Sequence, residues 1–443
     1  MKNSFKLGAA AFAVAAAFCS TAHAAGFQLT EQSAGAMGRA YAGVGVDGTD
    51  LSGVYYNPAT MVLHPGTQFQ AGFVGIALDL QFEGSGEGEG VTENGRYKPQ
   101  AIPHGFITHQ ISDDMWVGLG MTVPFGMGTE YDDDWRYGNR GISATVLTFD
   151  FNPNVAWKLS EKFSVGAGVS LQYASADLKM REDFSGGVAS ADGEIDADSW
   201  AWGFNVGAMW SPMETLRFGL SYRSAIHHNA EGDFTLDNGK LDGNKVSGDD
   251  LIGIGTADPD NPNADLIQLG SLLNMRNFDG RATVNTPAWA MFNAAWDVND
   301  LMSLYATFRW TDWSSFDELE VTTSLPGVGT TVTNKWQDTY LFTLGADFRM
   351  NDWWTFRTGV GYETSPIDKA QYRTTIIPDS ERLWLAAGSS FKVADNMQLD
   401  VSAAWLHGLG ESDVTASETD KTKVGEFDKL DAYLIGVQLQ YKF

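Results

Sequence analysis

Cysteine, positive charge and long apolar runs are all scarce in this chain, and each scarcity excludes something. The single cysteine of the 443 residues is Cys19, so no disulfide framework holds the protein together. Lysine and arginine total 29 against 56 aspartates and glutamates, for a formal net charge of −27. Such a chain lacks the clustered cations with which nucleic-acid phosphates are neutralised. Beyond Ala25 there is no stretch of about 18 consecutive apolar residues, which excludes α-helical membrane spans. Aromatic residues, in contrast, make up 12% of the chain, too many for a disordered polymer. The mean hydropathy of −0.19 matches a soluble protein. It is equally what a transmembrane barrel yields, because apolar and polar residues alternate along its strands and cancel in the average.

The first residues carry an export signal. Lys2 and Lys6 give a basic start, Leu7 to Phe18 an apolar run, and Ala22-His23-Ala24 a small-residue cleavage site. Residues 1–24 are therefore expected to be a secretory signal peptide, with an apolar core too short to span a bilayer. The mature chain is expected to begin at Ala25 and to lose Cys19. Phe18 stands where a lipid anchor would want a small residue, so Cys19 is not read as one.

What fills the rest is alternation with a period of two. Phe163, Val165, Ala167, Val169, Leu171 and Tyr173 alternate with Ser164, Gly166, Gly168, Ser170 and Gln172. The same pattern runs through 216–223, 304–310, 340–348, 354–362, 397–405 and 433–443. A soluble sandwich also alternates, but these runs often reach the 9–11 residues that a tilted strand needs to cross a bilayer. Aromatics gather at strand ends, as in Trp310 with Trp313, Trp336 with Tyr340, and Trp353 with Trp354, as an interfacial girdle requires. Six short turns, near 112–114, 160–161, 211–214, 297–300, 351–352 and 394–395, alternate with long, acidic, Gly-rich segments. The long segments are expected near 83–99, 126–143, 180–196, 232–281, 322–335, 363–380 and 409–427. The fold class is thus all-β: a transmembrane antiparallel barrel of fourteen strands over 66–443, with short periplasmic turns and long outer loops in the bacterial outer membrane. Phe443 ends the last strand on an aromatic, resembling the carboxy-terminal signal read by the barrel assembly machinery.

Residues 25–65 break the rhythm. They are rich in glycine yet carry Phe27, Leu29, Met37, Tyr41, Tyr55, Tyr56 and Met61. A fourteen-stranded barrel encloses more space than its own side chains fill, so this segment reads as an amino-terminal hatch, or plug. At this point the sequence resembles a known family. Ala25-Gly26-Phe27-Gln28-Leu29, Gly38-Arg39-Ala40-Tyr41-Ala42-Gly43 and Tyr56-Asn57-Pro58-Ala59 are similar to the hatch of the FadL family of outer-membrane long-chain fatty acid and hydrocarbon transporters. The likeness continues into Pro124-Phe125-Gly126 with Thr129, Tyr131 and Trp135, into Asn152-Pro153, and into Trp310-Thr311-Asp312-Trp313. It implies capture of substrate between outer loops, an internal apolar pocket touched by the mature amino terminus, and lateral exit through a gap beside a kinked third strand.

Candidate residues follow. Leu266, Leu269 and Leu273 fall on one face of a short helix in the longest loop and are candidates for the capture groove. Phe27 and Leu29 are candidates for the internal pocket. Asn57, Pro58 and Ala59 offer a turn whose Asn57 amide could bind unpaired wall backbone; the resemblance sets it against the third strand, where Gly118, Gly120 or Pro124 could interrupt pairing. Arg223, Arg309 and Arg382 alternate toward the lumen and could grip a fatty-acid carboxylate, or pair instead with Asp150, Asp347 and Asp400. No cofactor, metal or nucleic acid is expected; the partners expected are hydrophobic small molecules and outer-membrane lipid around a monomer. His227 and His228 would point to opposite faces of a strand and could not share a metal. Asp258 and Asp260 lack the Gly and Glu of a calcium loop. The alternatives are a general diffusion porin, which the plug disfavours, and a barrel enzyme, for which no residue spacing speaks.

Overall fold

A computed structural model describes residues 26–85, 92–94, 100–132, 134–184, 188–259, 262–324, 329–416 and 422–443. The expected signal peptide, residues 1–24, lies outside the described residues. The alternating runs form one closed, antiparallel wall of fourteen strands. In chain order these are β1 (Thr67–Gly84), β2 (Gln100–Ser112), β3 (Met115–Thr122 and Gly126–Glu130), β4 (Ser143–Ser160), β5 (Phe163–Phe184), β6 (Ala189–Met213) and β7 (Leu216–Arg223 and Ile226–Leu241). Then come β8 (Asn277–Thr286 and Trp289–Asn299), β9 (Met302–Thr311 and Glu318–Thr323), β10 (Gly329–Thr333 and Thr339–Asn351), β11 (Trp354–Glu363), β12 (Glu381–Ala394), β13 (Met397–Leu409 and Asp413–Thr415) and β14 (Lys423–Lys442). Pairing of β1 with β14, from Gln68 opposite Lys442 to Gly84 opposite Gly425, closes the barrel and leaves no open sheet edge there.

The wall is inside-out relative to a soluble protein. Phe69, Phe73, Ile107, Leu171, Leu344, Val360 and Ile435 are exposed on its outer face, while Gln70, Thr108, Gln172, Thr343, Arg357 and Gln438 are buried toward the lumen. A band of exposed apolar side chains around a polar interior is stable only against lipid.

The wall also overshoots the membrane. Residues 180–196, expected as a loop, continue β5 and β6 as a ladder from Met180 opposite Gly193 to Phe184 opposite Ala189. The acidic residues there suggested a loop because they could not face lipid; beyond the bilayer the outer face of a strand meets water, and the inner face still buries Ala189, Ala191 and Ile195. In the same way 232–241 prolongs β7. Only the middle of the longest loop is helical, as α3 (Gly248–Gly255) and α4 (Ala264–Met275), the latter capped by Asn263, whose side chain accepts from the Leu266 N–H at 3.2 Å.

Residues from Gly26 to His64 fill the barrel. Two short helices, α1 (Ala34–Met37) and α2 (Gly53–Tyr56), and a 3₁₀ turn at Pro58–Leu63 carry almost wholly buried side chains. Their Met37, Tyr41, Leu51, Val54 and Met61 share one apolar cluster with Val74, Phe106, Trp116, Trp289 and Trp384 of the wall. Buried charge fixes the register of this plug: Arg39 pairs with Asp47 and, at 2.8 Å, with Asp347 of β10. Arg357 of β11 reaches Asp347 at 3.6 Å and Asp400 at 3.5 Å. Gly345 and Gly359 make room for this approach. A Cβ on Gly345 would lie 2.8 Å from Arg39 Cβ, and one on Gly359 would overlap the Arg39 carbonyl.

Candidate functional site

Between β2 and β3 the wall ladder opens partway along. Pairing of β2 with β3 ends at Gly105 opposite Met121. Beyond it, Gln100–His104 of β2 pair with β1, and the outer segment of β3 pairs with β4, Gly126 opposite Leu147. Between the two segments of β3, Val123-Pro124-Phe125 leave the ladder; Pro124 has no N–H to give it. Backbone groups exposed at membrane depth must be satisfied by protein or water, and here the amino-terminal segment supplies partners. Leu29 N–H donates to Pro124 O at 2.8 Å, Gly126 N–H donates to Phe27 O at 2.9 Å, and Gln28 bridges to Phe125. The Gln32 side-chain amide donates to Val123 O at 2.6 Å, and its Oε1 accepts from Val123 N–H at 3.1 Å. Phe125 N–H donates to Thr148 Oγ1 at 2.9 Å. Residues 27–29 thus serve as a short extra strand across the opening. Phe27 wedges it in place, with ring centroids 4.9 Å from Trp313, 5.3 Å from Phe316 and 5.9 Å from Phe125.

Of the expected gating residues, Pro124 lies at the break. Gly118 and Gly120 do not: both sit in the regular inner segment of β3, opposite Asn154 and Asn152 of β4, where their missing side chains admit Met61 and Val54 of the plug. Asn57-Pro58-Ala59 is not at β3 either. The Asn57 amide does reach wall backbone, donating to Ala208 O of β6 at 3.1 Å as well as to Gly45 O at 2.8 Å, and Ser164 of β5 donates to Ala59 O at 3.0 Å. Gly166, Gly207 and Gly219 on β5, β6 and β7 leave the hollow in which this turn seats.

Leu266, Leu269 and Leu273 are buried with Ala189, Ile195, Phe234, Leu251 and Val321, so α4 caps the strand extensions instead of presenting an open groove. A separate cavity of about 60 Å³ lies among the outer strands and loops, lined by Leu178, Ile195, Phe234, Leu319, Val321 and Ile376, with Arg140, Lys179 and Glu182 also on its wall. Arg140 donates to Thr415 O at 3.3 Å and to Ala416 O. Burial pushes its guanidinium below the ordinary arginine value, with Tyr137 opposing. The sequence pattern missed Arg140, which stands in no alternating run.

The three candidate arginines are tied down inside. Arg223 pairs with Asp150 at 3.2 Å, donates to Tyr55 O at 3.1 Å, and lies over the Tyr55 ring, 4.2 Å from its centroid. Arg309 bridges Glu363 at 2.8 Å and Thr30 at 2.9 Å. Arg382 pairs with Asp379, which also accepts from Gly26 N–H at 2.9 Å and Ser365 Oγ at 2.7 Å. Beside Arg382 lies a cavity of about 20 Å³ lined by Leu78, Leu80, Leu406 and Leu430 and also by Asp379, Ser380 and Asp431. His228 is buried between Ser199 and Gln172 while His227 is exposed, and among the described residues no three His, Asp or Glu converge as metal ligands.

A plugged barrel with a protein-sealed wall opening matches one family model, outer membrane protein transport protein (OMPP1/FadL/TodX), over residues 15–443. The chain belongs to this family. It is 29% identical over 462 aligned residues to a long-chain fatty acid transport protein of Escherichia coli O6:H1, covering 98% of each chain. It is 24% identical to outer membrane protein P1 of Haemophilus influenzae, covering 95% of this chain and 96% of the relative. A crystal structure of a Pseudomonas aeruginosa FadL homologue shares the fold at a TM-score of 0.80 and 24% identity, over 95% of this chain and 100% of that one. The Pseudomonas putida toluene transporter TodX does so at 0.69 and 17%, over 89% and 94%. This FadL/TodX-family chain is therefore an outer-membrane transport protein.

Proposed function

We propose that the protein carries long-chain fatty acids, or closely similar amphipathic hydrocarbons, from the outer loops into the barrel and out sideways between β2 and β3. The observation that carries this reading is the opening above the Gly105–Met121 pair, closed on the β2 side by the amino-terminal segment from within and not by β2. The apolar groove with Arg140 on its wall suits capture of a carboxylate-headed chain, and the relatives named for fatty acids support that choice. At about 60 Å³ the groove holds roughly two waters, so the outer loops must part to admit a chain. The small cavity beside Arg382 marks the internal stage and, at about 20 Å³, must likewise widen to admit a chain. Residues 1–24 act as the cleaved export signal, and 25–65 as the hatch.

The reading is tested by locking the opening. The only native cysteine is Cys19, and Gln28 and Phe125 face each other across an antiparallel bridge, where Cα atoms lie about 4.5–5.5 Å apart and within disulfide reach. Oxidised Gln28→Cys/Phe125→Cys protein is expected to bind a long-chain fatty acid yet lose its uptake in cells lacking their own transporter, with reduction restoring it. Uptake at the wild-type rate in the oxidised form would defeat lateral exit.

A further inference from the structure

Sealing a hole in a β-wall requires a group that donates and accepts at once, because the missing strand would have done both. A primary amide is the side chain that copies a peptide group in this respect. Gln32 does so at Val123: its Nε2 donates to the carbonyl at 2.6 Å and its Oε1 accepts from the N–H at 3.1 Å, both on a residue that lies beyond the last β2–β3 pair and outside both segments of β3. Nε2 also donates to Leu29 O at 3.1 Å, tying the latch to the bridging segment itself. Gln32 is buried, on the turn before α1. No wall strand need change its register for these bonds to break.

We propose that Gln32 is the positioning residue that latches the wall opening, and that passage of substrate requires its amide to leave Val123. This rests on the lateral route proposed above. The ladder bonds of Leu29 and Phe27 hold the segment against Pro124 and Gly126, whereas Gln32 alone satisfies both backbone groups of Val123. Release of Gln32 therefore exposes one N–H and one C=O toward the passage and turns a dry seal into a wettable one.

The test uses the full mature protein in liposomes, with a fluorescent long-chain fatty acid as probe and two variants. Gln32→Met keeps length and volume but neither bond; Gln32→Glu keeps an acceptor for Val123 N–H and sets a carboxylate against Val123 O and Leu29 O. Both are expected to raise probe transfer into the bilayer about tenfold, Gln32→Met by losing both bonds to Val123 and Gln32→Glu by losing one of them and setting a charge against the carbonyl. Hydrogen exchange of the Val123 amide should quicken by a similar factor, while that of Met121, in the intact ladder, stays as in the wild type. The same substitutions in oxidised Gln28→Cys/Phe125→Cys protein should leave transfer blocked. Wild-type transfer and wild-type Val123 exchange in Gln32→Met would overturn the latch. If Gln32→Met changes nothing while the disulfide still blocks transfer, the latch falls and the lateral route stands; if the disulfide fails to block, both fall. Should Gln32→Met not reach the folded, heat-modifiable form, Gln32→Glu carries the comparison alone.

Discussion

Arg140 stands on the wall of an apolar groove and donates to two neutral carbonyls, Thr415 O and Ala416 O, so its charge is available to a ligand. Replacing it with Gln is expected to weaken binding of a long-chain fatty acid about tenfold, as for one lost charge-assisted hydrogen bond. Binding of the corresponding methyl ester should be unchanged. Equal losses for acid and ester in a fluorescence titration would show that Arg140 shapes the groove without reading the head group. Asp379 bears on pH. Burial lifts its carboxyl from the usual 3.8 to about 6, against the pull of Arg382, Ser365 and the Gly26 N–H. Between about pH 4 and pH 6 the folded state therefore holds a proton that the unfolded chain has released. Its contribution to stability is full below that window and is lost as pH climbs through it. Wild type minus Asp379→Asn, read as the difference in heat-unfolding temperature in detergent, should fall from pH 4 to pH 6 and level off above. A flat or rising difference would refute the assignment. Neither residue was legible in the sequence: a single Arg in a loop and a single Asp before a strand carry no pattern, and only the fold brings Gly26 to Asp379.

At the scale of elements, the strands were the legible part, because facing lipid on one side and lumen on the other imposes a period of two wherever the chain crosses the bilayer. Above the bilayer that constraint lapses, and so the extensions of β5 and β6 through 180–196 resembled a loop. The turn expected at the wall opening was misplaced for a related reason. Asn57-Pro58-Ala59 announces a turn with a free amide, but its seat is set by the hollow over Gly166, Gly207 and Gly219, which lies a hundred and more residues downstream. Asn57→Ala removes the bond to Ala208 O of the wall, along with the one to Gly45 O within the plug, and is expected to weaken plug attachment by about 1 kcal/mol. Because the wall ladder does not depend on them, surface expression should persist while single-channel recordings show brief openings absent from the wild type. Recordings as quiet as the wild type would mean that the turn does not anchor the plug.

For the whole molecule, the question is what separates a selective carrier of greasy molecules from a pore. Fourteen strands enclose a lumen that their own side chains do not fill, and most of the described plug, Met37, Tyr41, Leu51, Tyr55 and Met61 included, is buried within it. Buried charge helps to hold the plug in place. Arg39 sits between Asp47 and Asp347, and Arg357 between Asp347 and Asp400. Removing one member of such a set leaves the others uncompensated, at a cost of about 3–5 kcal/mol. The wall carries its own closing ladder from β14 to β1 and should survive that loss. Arg39→Met is therefore expected to yield a barrel that still inserts and resists detergent, yet conducts ions steadily in planar bilayers and admits small hydrophilic solutes that the wild type excludes. Uptake of long-chain fatty acid should fall several-fold in the same variant, since a displaced plug no longer holds the amino-terminal segment at Val123–Gly126. If Arg39→Met conducts no more than the wild type, the ion pairs do not retain the plug. If it conducts but transports fatty acid normally, the amino-terminal segment keeps its place on β3 independently of the plug body.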